Sequence, residues 1–237
     1  MNSHIPIPPL PDGRGSDPND FGSGSTRIIA IDTTSEFGSI ALIHDGEVVE
    51  ETLLHSPNGF GHVLFPSLAQ LMERHGWRFD QVTGFAAGAG PGSFTGVRVG
   101  LAAVKGLAET AGVQAAAVSN LEAMASLGTS ELRAPFFDAR RGEIFGALYD
   151  AGLKAVRPAT AQPFATWLAS LPPDAELMTP DLAPFLDALS GRAATTTPRA
   201  LAGAIGKLAL TQLQDPIILD ANYVRRSDAE LNWKDVR

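Results

Sequence analysis

One stretch constrains this chain more than any other: Gly88-Ala89-Gly90-Pro91-Gly92-Ser93-Phe94-Thr95-Gly96, with the run Val97 to Gly112 behind it. Upstream, Val82 to Ala87 is apolar and short enough for a buried strand. Downstream, Val97, Leu101, Val104, Ala108 and Ala111 recur at helical spacing. The spacing predicts a strand, a tight glycine turn and a helix. Such a turn gathers backbone N–H groups and the positive end of a helix dipole at one point, which suits an anion. Two phosphate templates fail, however. No Gly-Lys-Ser/Thr follows, and Ser93 stands where the dinucleotide fingerprint has its third glycine.

Ahead of this stretch, Ile28 to Ile31 reads as a buried strand ending in Asp32-Thr33-Thr34. Ser39 to His44 and Glu47 to Leu54 form a hairpin across Asp45-Gly46. Asp32 has two readings: a turn former bonding nearby N–H groups, which this single residue favours, or a phosphate or metal residue, which its neighbours keep open. The candidate nucleotide or anion contacts are therefore Asp32, Thr33, Gly90, Gly92, Ser93 and Arg98. His62 to His75 reads as a helix with a Leu64, Leu68, Leu71 stripe flanked by Phe65 and Met72, closed by Gly76. The glycine-loop helix carries Gly100, Ala103 and Gly106. A helical glycine costs about 1 kcal/mol against alanine, so another backbone or helix is expected to come close, from this chain or a second one.

Val113 to Val118 reads as a strand, and after it Ser119 to Glu122 forms a capping box opening a helix to Leu127. Ala134 to Ala139 and Glu143 to Tyr149 read as strands around Arg140-Arg141-Gly142. Short helices are predicted at Pro163 to Ser170 and Pro180 to Leu189. A longer one is predicted at Arg199 to Leu213 behind Thr197-Pro198. No internal repeat stands out.

The composition narrows function. The 237 residues carry a net charge of −8, which suits a stand-alone nucleic-acid binder poorly. Without cysteine there are no disulfides or thiolate ligands, as in a reducing cytoplasm. No stretch reads as a membrane span or a signal peptide. Residues 1–26, rich in Pro and Gly, read as a disordered extension. None of the five histidines forms a His-x-x-x-His metal pair, and no Gly-x-Ser-x-Gly elbow occurs. No catalytic residue and no metal ligand is assigned.

Taken together, Ile29 to Thr34, Gly90 to Arg98 with Gly100-Leu101 and Lys105 to Ala108, Ser119 to Ala123, Phe137 to Ile144 and Tyr223 to Ser227 resemble the TsaB (YeaZ) family. The resemblance covers roughly Ile28 to Ser227. It implies an α/β actin-like, Hsp70-like ATPase (ASKHA) fold of two mixed-sheet lobes, divided at residues 27–118 and 119–237, with the last helix and tail returning to the first lobe. It further implies a non-catalytic subunit for N6-threonylcarbamoyladenosine at position 37 of tRNAs reading codons that begin with A. That subunit would pair with the catalytic TsaD and with the ATPase TsaE, meeting tRNA only through the complex. The implied pairing surface draws on His62, Leu64, Phe65, Leu68, Met72, Val97, Gly100, Leu101 and Val104, which also allow a homodimer. ATP or ADP at that surface stays open as a cofactor. The alternative is an actin-like nucleotide hydrolase or a peptidase acting alone. On the family reading the glycine loop is first the turn that launches a small-residue helix toward a partner.

Overall fold

The computed structural model describes residues 24–224. The expectation of a disordered extension falls, apart from residues 24–26, outside the described residues. So does the part of the family motif beyond Val224. Among the described residues no helix is long and apolar enough to cross a membrane.

Strand β1 (Arg27–Asp32) is buried along its whole length because its two faces serve two cores. Ile29 and Ile31 point to one side, Ile28 and Ala30 to the other, as the two-residue period of a strand requires. β1 pairs antiparallel with β2 (Phe37–His44), which pairs antiparallel with β3 (Glu47–His55). On its other edge β1 runs parallel to β4 (Gly84–Gly88), and β4 parallel to β5 (Gln114–Val118). The order is β3-β2-β1-β4-β5.

Helices α1 (Leu64–Arg74) and α2 (Phe94–Ala111) cover the Ile29 and Ile31 face. Leu64, Leu68, Leu71, Val97, Leu101 and Val104 close that core, each fully buried aliphatic side chain contributing about 1.5–3 kcal/mol. Gly76, left-handed at φ 62°, follows α1 as expected and frees the chain to turn. Glu50 on β3 ties down the end of α1. It accepts from Arg74 Nη2 at 2.5 Å and meets His75 Nε2 at 2.6 Å, and these partners hold its carboxyl at about 2.

The second sheet contains β6 (Leu132–Arg140), β7 (Glu143–Asp150), β8 (Ala155–Pro163), β9 (Glu176–Thr179) and β10 (Ala194–Thr196), in the order β10-β9-β6-β7-β8. Counted from β6, this is the topology of the first sheet, with the same pattern of antiparallel and parallel pairs. The repeat left no trace in the sequence because the connections differ. Where the first sheet has the eighteen-residue α2, the second has a seven-residue 3₁₀ turn, Ala183–Leu189. That turn and α4 (Phe164–Ser170) cover one face of the second sheet around Phe136. The other face packs on α3 (Asn120–Ala125) through Leu121, Ala139 and Phe145.

Helix α5 (Ala202–Ala209) returns to the first sheet and covers its Ile28, Ala30 and Ile43 face. It is shorter than its periodicity predicts, and Thr197 does not cap it. Instead Ser39 Oγ on β2 accepts from Leu201 N (3.1 Å) and Ala202 N (2.9 Å), and Glu51 Oε1 on β3 accepts from Gly203 N (3.0 Å). The first-turn donors of a helix need acceptors, and here the sheet supplies them. The capping box at α3 is likewise half formed. Ser119 accepts from Glu122 N, but the Glu122 carboxylate turns away to accept from Gln212 Nε2 at 3.1 Å.

Candidate functional site

The turn after β1 and the glycine loop before α2 lock together. Asp32 Oδ1 accepts from the backbone N–H of Thr34 (3.0 Å) and from its hydroxyl (2.7 Å). That hydroxyl in turn accepts from Asn120 Nδ2 at 2.8 Å, while Asn120 Oδ1 accepts from Gly90 N at 2.9 Å. Thr33 Oγ1 donates to the Gly96 carbonyl (2.7 Å), and Ser93 N donates to the Thr34 carbonyl (2.7 Å). The turn, the loop and the start of α3 thus share one buried network.

The glycines follow from this network. A Cβ at Gly92 would stand 2.5 Å from the Thr34 carbonyl oxygen. One at Gly96 would overlap the Thr33 carbonyl oxygen, and one at Gly100 would stand 2.7 Å from Thr33 Oγ1. The close neighbour of Gly100 is therefore the chain's own turn. Gly106 differs, because a Cβ there would meet nothing within 4 Å.

Three donors of this loop are used within the fold, while Gly92, Ser93, Phe94 and Thr95 also line the cleft between the two sheets. The N–H groups of Gly90 and Ser93 are taken by Asn120 and Thr34, and that of Gly96 by the Ser93 side chain as N-cap (3.2 Å). Arg98 is engaged too. Its guanidinium lies 3.6 Å from the Phe94 ring centroid, and Nε donates to Tyr223 Oη at 3.0 Å. Gly90, Ser93 and Arg98 thus take part in the joint, and Gly92 fits it only without a side chain.

Above the joint, a cleft of about 880 Å³ opens between the two sheets. Its floor holds Asp32, Thr33 and Asn120, and its walls include Phe37, Phe137, Arg140 and Phe185. Arg199 reaches across part of it. Its guanidinium lies 4.5 Å from the centroid of Phe37, which stacks on His55 at 4.5 Å, and Nη2 donates to Asp181 Oδ2 at 3.2 Å. Sequence reasoning missed Asn120, Phe37, Arg199 and Tyr223 as site residues. Asn120 and Tyr223 carried a signal, since both stand in stretches that resemble the family, and Asn120 is a poor helix former just inside a cap.

Burial pushes the Asp32 carboxyl above its ordinary value of 3.8, against the Thr34 hydrogen bonds that favour the charged form. The folded state therefore holds this proton to higher pH than the unfolded state does. Stability from this group is full below 3.8 and lost as pH rises through the folded value. Asp32→Asn keeps an oxygen for Thr34 and removes the buried charge. Urea unfolding should find the variant more stable than wild type near neutrality, with the gap closing below 3.8. An equal midpoint at both pH values would show that burial does not penalise the charge.

The proposed pairing residues divide. Leu64, Leu68, Val97, Gly100, Leu101 and Val104 are buried in the chain's own first core, so they hold α1 and α2 to the sheet and offer no outer surface. His62 is exposed, Phe65 is 51% exposed and Met72 is half-buried. The outward face of α1 therefore carries His62 and Phe65.

Comparison with known proteins agrees with the geometry. Residues 60–175 match the family described as TsaD: tRNA N6-adenosine threonylcarbamoyltransferase. The chain is 32% identical over 149 residues to the Bacillus subtilis tRNA threonylcarbamoyladenosine biosynthesis protein TsaB, covering 61% of this chain and 65% of that protein. It is 37% identical over 128 residues to the Escherichia coli protein of the same name, covering 52% and 54%. The matched region thus spans between about half and two-thirds of these relatives. In structure the chain is similar to YeaZ from Pseudomonas aeruginosa, with a TM-score of 0.69 and 21% identity over 83% of this chain and all of that one. A second Pseudomonas aeruginosa structure, of a protein described as similar to peptidase YEAZ, gives a TM-score of 0.72 at 21% identity over 84% and 100%.

Two sheets of one mixed topology around a cleft, with an aspartate ending the first strand, define a protein of the actin-like ASKHA fold. Within that class, the matched region is similar in sequence to curated TsaB proteins, and the fold is that of YeaZ.

Proposed function

We propose that the chain is an accessory subunit in the formation of N6-threonylcarbamoyladenosine on tRNA, pairing with a TsaD-type catalytic subunit. The observation that carries this is the similarity to two curated TsaB proteins at 32% and 37% identity. The joint is consistent with it, since the N–H groups of Gly90, Ser93 and Gly96 serve the fold. A TsaE-type ATPase would join the same assembly, and tRNA, the anionic partner, would be held mainly by the other subunits given the net charge of −8. The assembly would be cytoplasmic, and a homodimer would use the same helix faces when no partner is present.

The test is size-exclusion chromatography of the full chain with a TsaD-type partner, followed by a tRNA modification assay. A joint peak and modification that depends on the chain are expected. Separate elution, or undiminished modification without the chain, would overturn the proposal. ATP turnover by the chain alone, lost in Asp32→Ala, would favour a nucleotide hydrolase instead.

A further inference from the structure

The last described residues run from one lobe to the other beside the cleft. Leu219 is buried in the α1/α2 core of the first lobe. Asn222 N donates to the Ala89 carbonyl at 2.8 Å, so the segment adds to the end of the glycine loop. Tyr223 lies with its ring centroid 5.4 Å from that of Phe94 and accepts from Arg98. One residue further, Val224 packs against the second-lobe cluster of Leu121, Ala139 and Phe145. Asn222, Tyr223 and Val224 all line the cleft. Behind them, Lys105 Nζ on α2 donates to the Ile217 carbonyl at 3.2 Å. Two cations one helical stretch apart on α2 therefore hold this segment down.

We propose that Leu219–Val224 is a strap that fixes the angle between the lobes and ties it to the outer side of α2 through Arg98. The proposal rests on contacts within the chain and not on its role in tRNA modification. Without the strap the lobes are joined by the Asp32–Asn120 network, by α5 on the first sheet with Gln212 bonded to Glu122, and by Arg199 between Phe37 and Asp181, a junction about which two packed bodies can rock. The strap adds a tie at the end of the glycine loop. Arg98 is the connecting part, because its planar guanidinium stacks on Phe94 while its Nε holds Tyr223, a pairing that lysine cannot reproduce. A change in the cleft that moves Val224 would reach α2 through Tyr223, and a contact on the α2 face would reach the cleft by the same route.

The chain has no cysteine, so two introduced cysteines take spin labels cleanly. Glu109→Cys on α2 and Asp187→Cys on the second lobe are both exposed. Pulsed electron–electron distance measurement on the full chain should give a narrow distribution for this pair. Adding Tyr223→Ala should roughly double its width or shift its maximum, reporting lobes freed to rock. Arg98→Lys should do the same, and combining the two should add little, because both act on one contact. Val156→Ala, on an exposed edge strand away from the strap, should leave the distribution unchanged. If Tyr223→Ala fails to fold, Arg98→Lys carries the reading alone. A wild-type distribution in the strap variants, or equal broadening in Val156→Ala, would overturn the proposal.

Discussion

Gly96→Ala is expected to cost about 3 kcal/mol or more of folding stability, read as a lower urea midpoint at unchanged m-value. The reason lies in what the new methyl would meet. Most tight contacts in a core are with side chains, which can rotate away. At Gly96 the obstacle is the backbone carbonyl of Thr33, inside a turn whose residues are buried and hydrogen-bonded on several sides. Thr33 cannot yield without losing its hydroxyl bond to the Gly96 carbonyl (2.7 Å). Its neighbour Thr34 is held by Asp32 and by Ser93 N. The clash therefore spreads through the whole network down to Asn120 and α3.

Gly106→Ala on the same helix supplies the contrast. Nothing lies within 4 Å of the added Cβ, and an exposed helical glycine gives way to alanine with a gain of about 0.5–1 kcal/mol. Opposite signs from two glycines ten residues apart would establish that the loop is packed by contact rather than kept small for flexibility. Equal, small effects at both sites would mean that the turn is not rigidly held.

How much of this could be read from sequence differs between the lobes. β1 to β5, α1 and α2 were legible because their apolar residues recur at strand or helix spacing and Gly76 and Asp45-Gly46 mark their ends. In the second lobe β8 was not. It is an edge strand containing Pro158 and ending at Pro163, mostly exposed, so neither alternation nor composition betrays it. β9 and β10 have four and three residues, too few to show a period. The start of α5 was misplaced because its cap, Ser39, lies 162 residues away in the chain.

The site was half legible. Asp32, Thr33 and the glycines stood out as a group, but their role depends on which backbone atom fills the space a Cβ would take. Spacing carries no such information. Leu64 and Val97 entered the pairing surface through the family resemblance, whereas the helical stripe by itself reveals an apolar face whose ordinary partner is the core. Packed on β1, that stripe proved to be core.

What α1 presents outward leads to the second large effect, which rests on the proposed pairing. Phe65→Asp is expected to weaken binding to the TsaD-type partner by about 2 kcal/mol, roughly thirtyfold in Kd, while leaving the chain's own stability nearly unchanged. Phe65 is a large apolar side chain that is 51% exposed on a helix whose buried stripe is already satisfied by Leu64, Leu68 and Leu71. Its ring contributes little to the core, so a carboxylate there costs the isolated chain little. In a closely packed helix interface the same carboxylate would be buried without a partner, which is among the most costly changes available.

Leu68→Ala separates the two roles. It should lower folding stability by about 2–5 kcal/mol through a core cavity and weaken pairing only as far as the helix loosens. Titration calorimetry of each variant against the partner, with urea unfolding of the same samples, distinguishes them. Partner affinity unchanged in Phe65→Asp would remove the outer face of α1 from the interface and leave the pairing, if wild type still binds, to be sought on another surface.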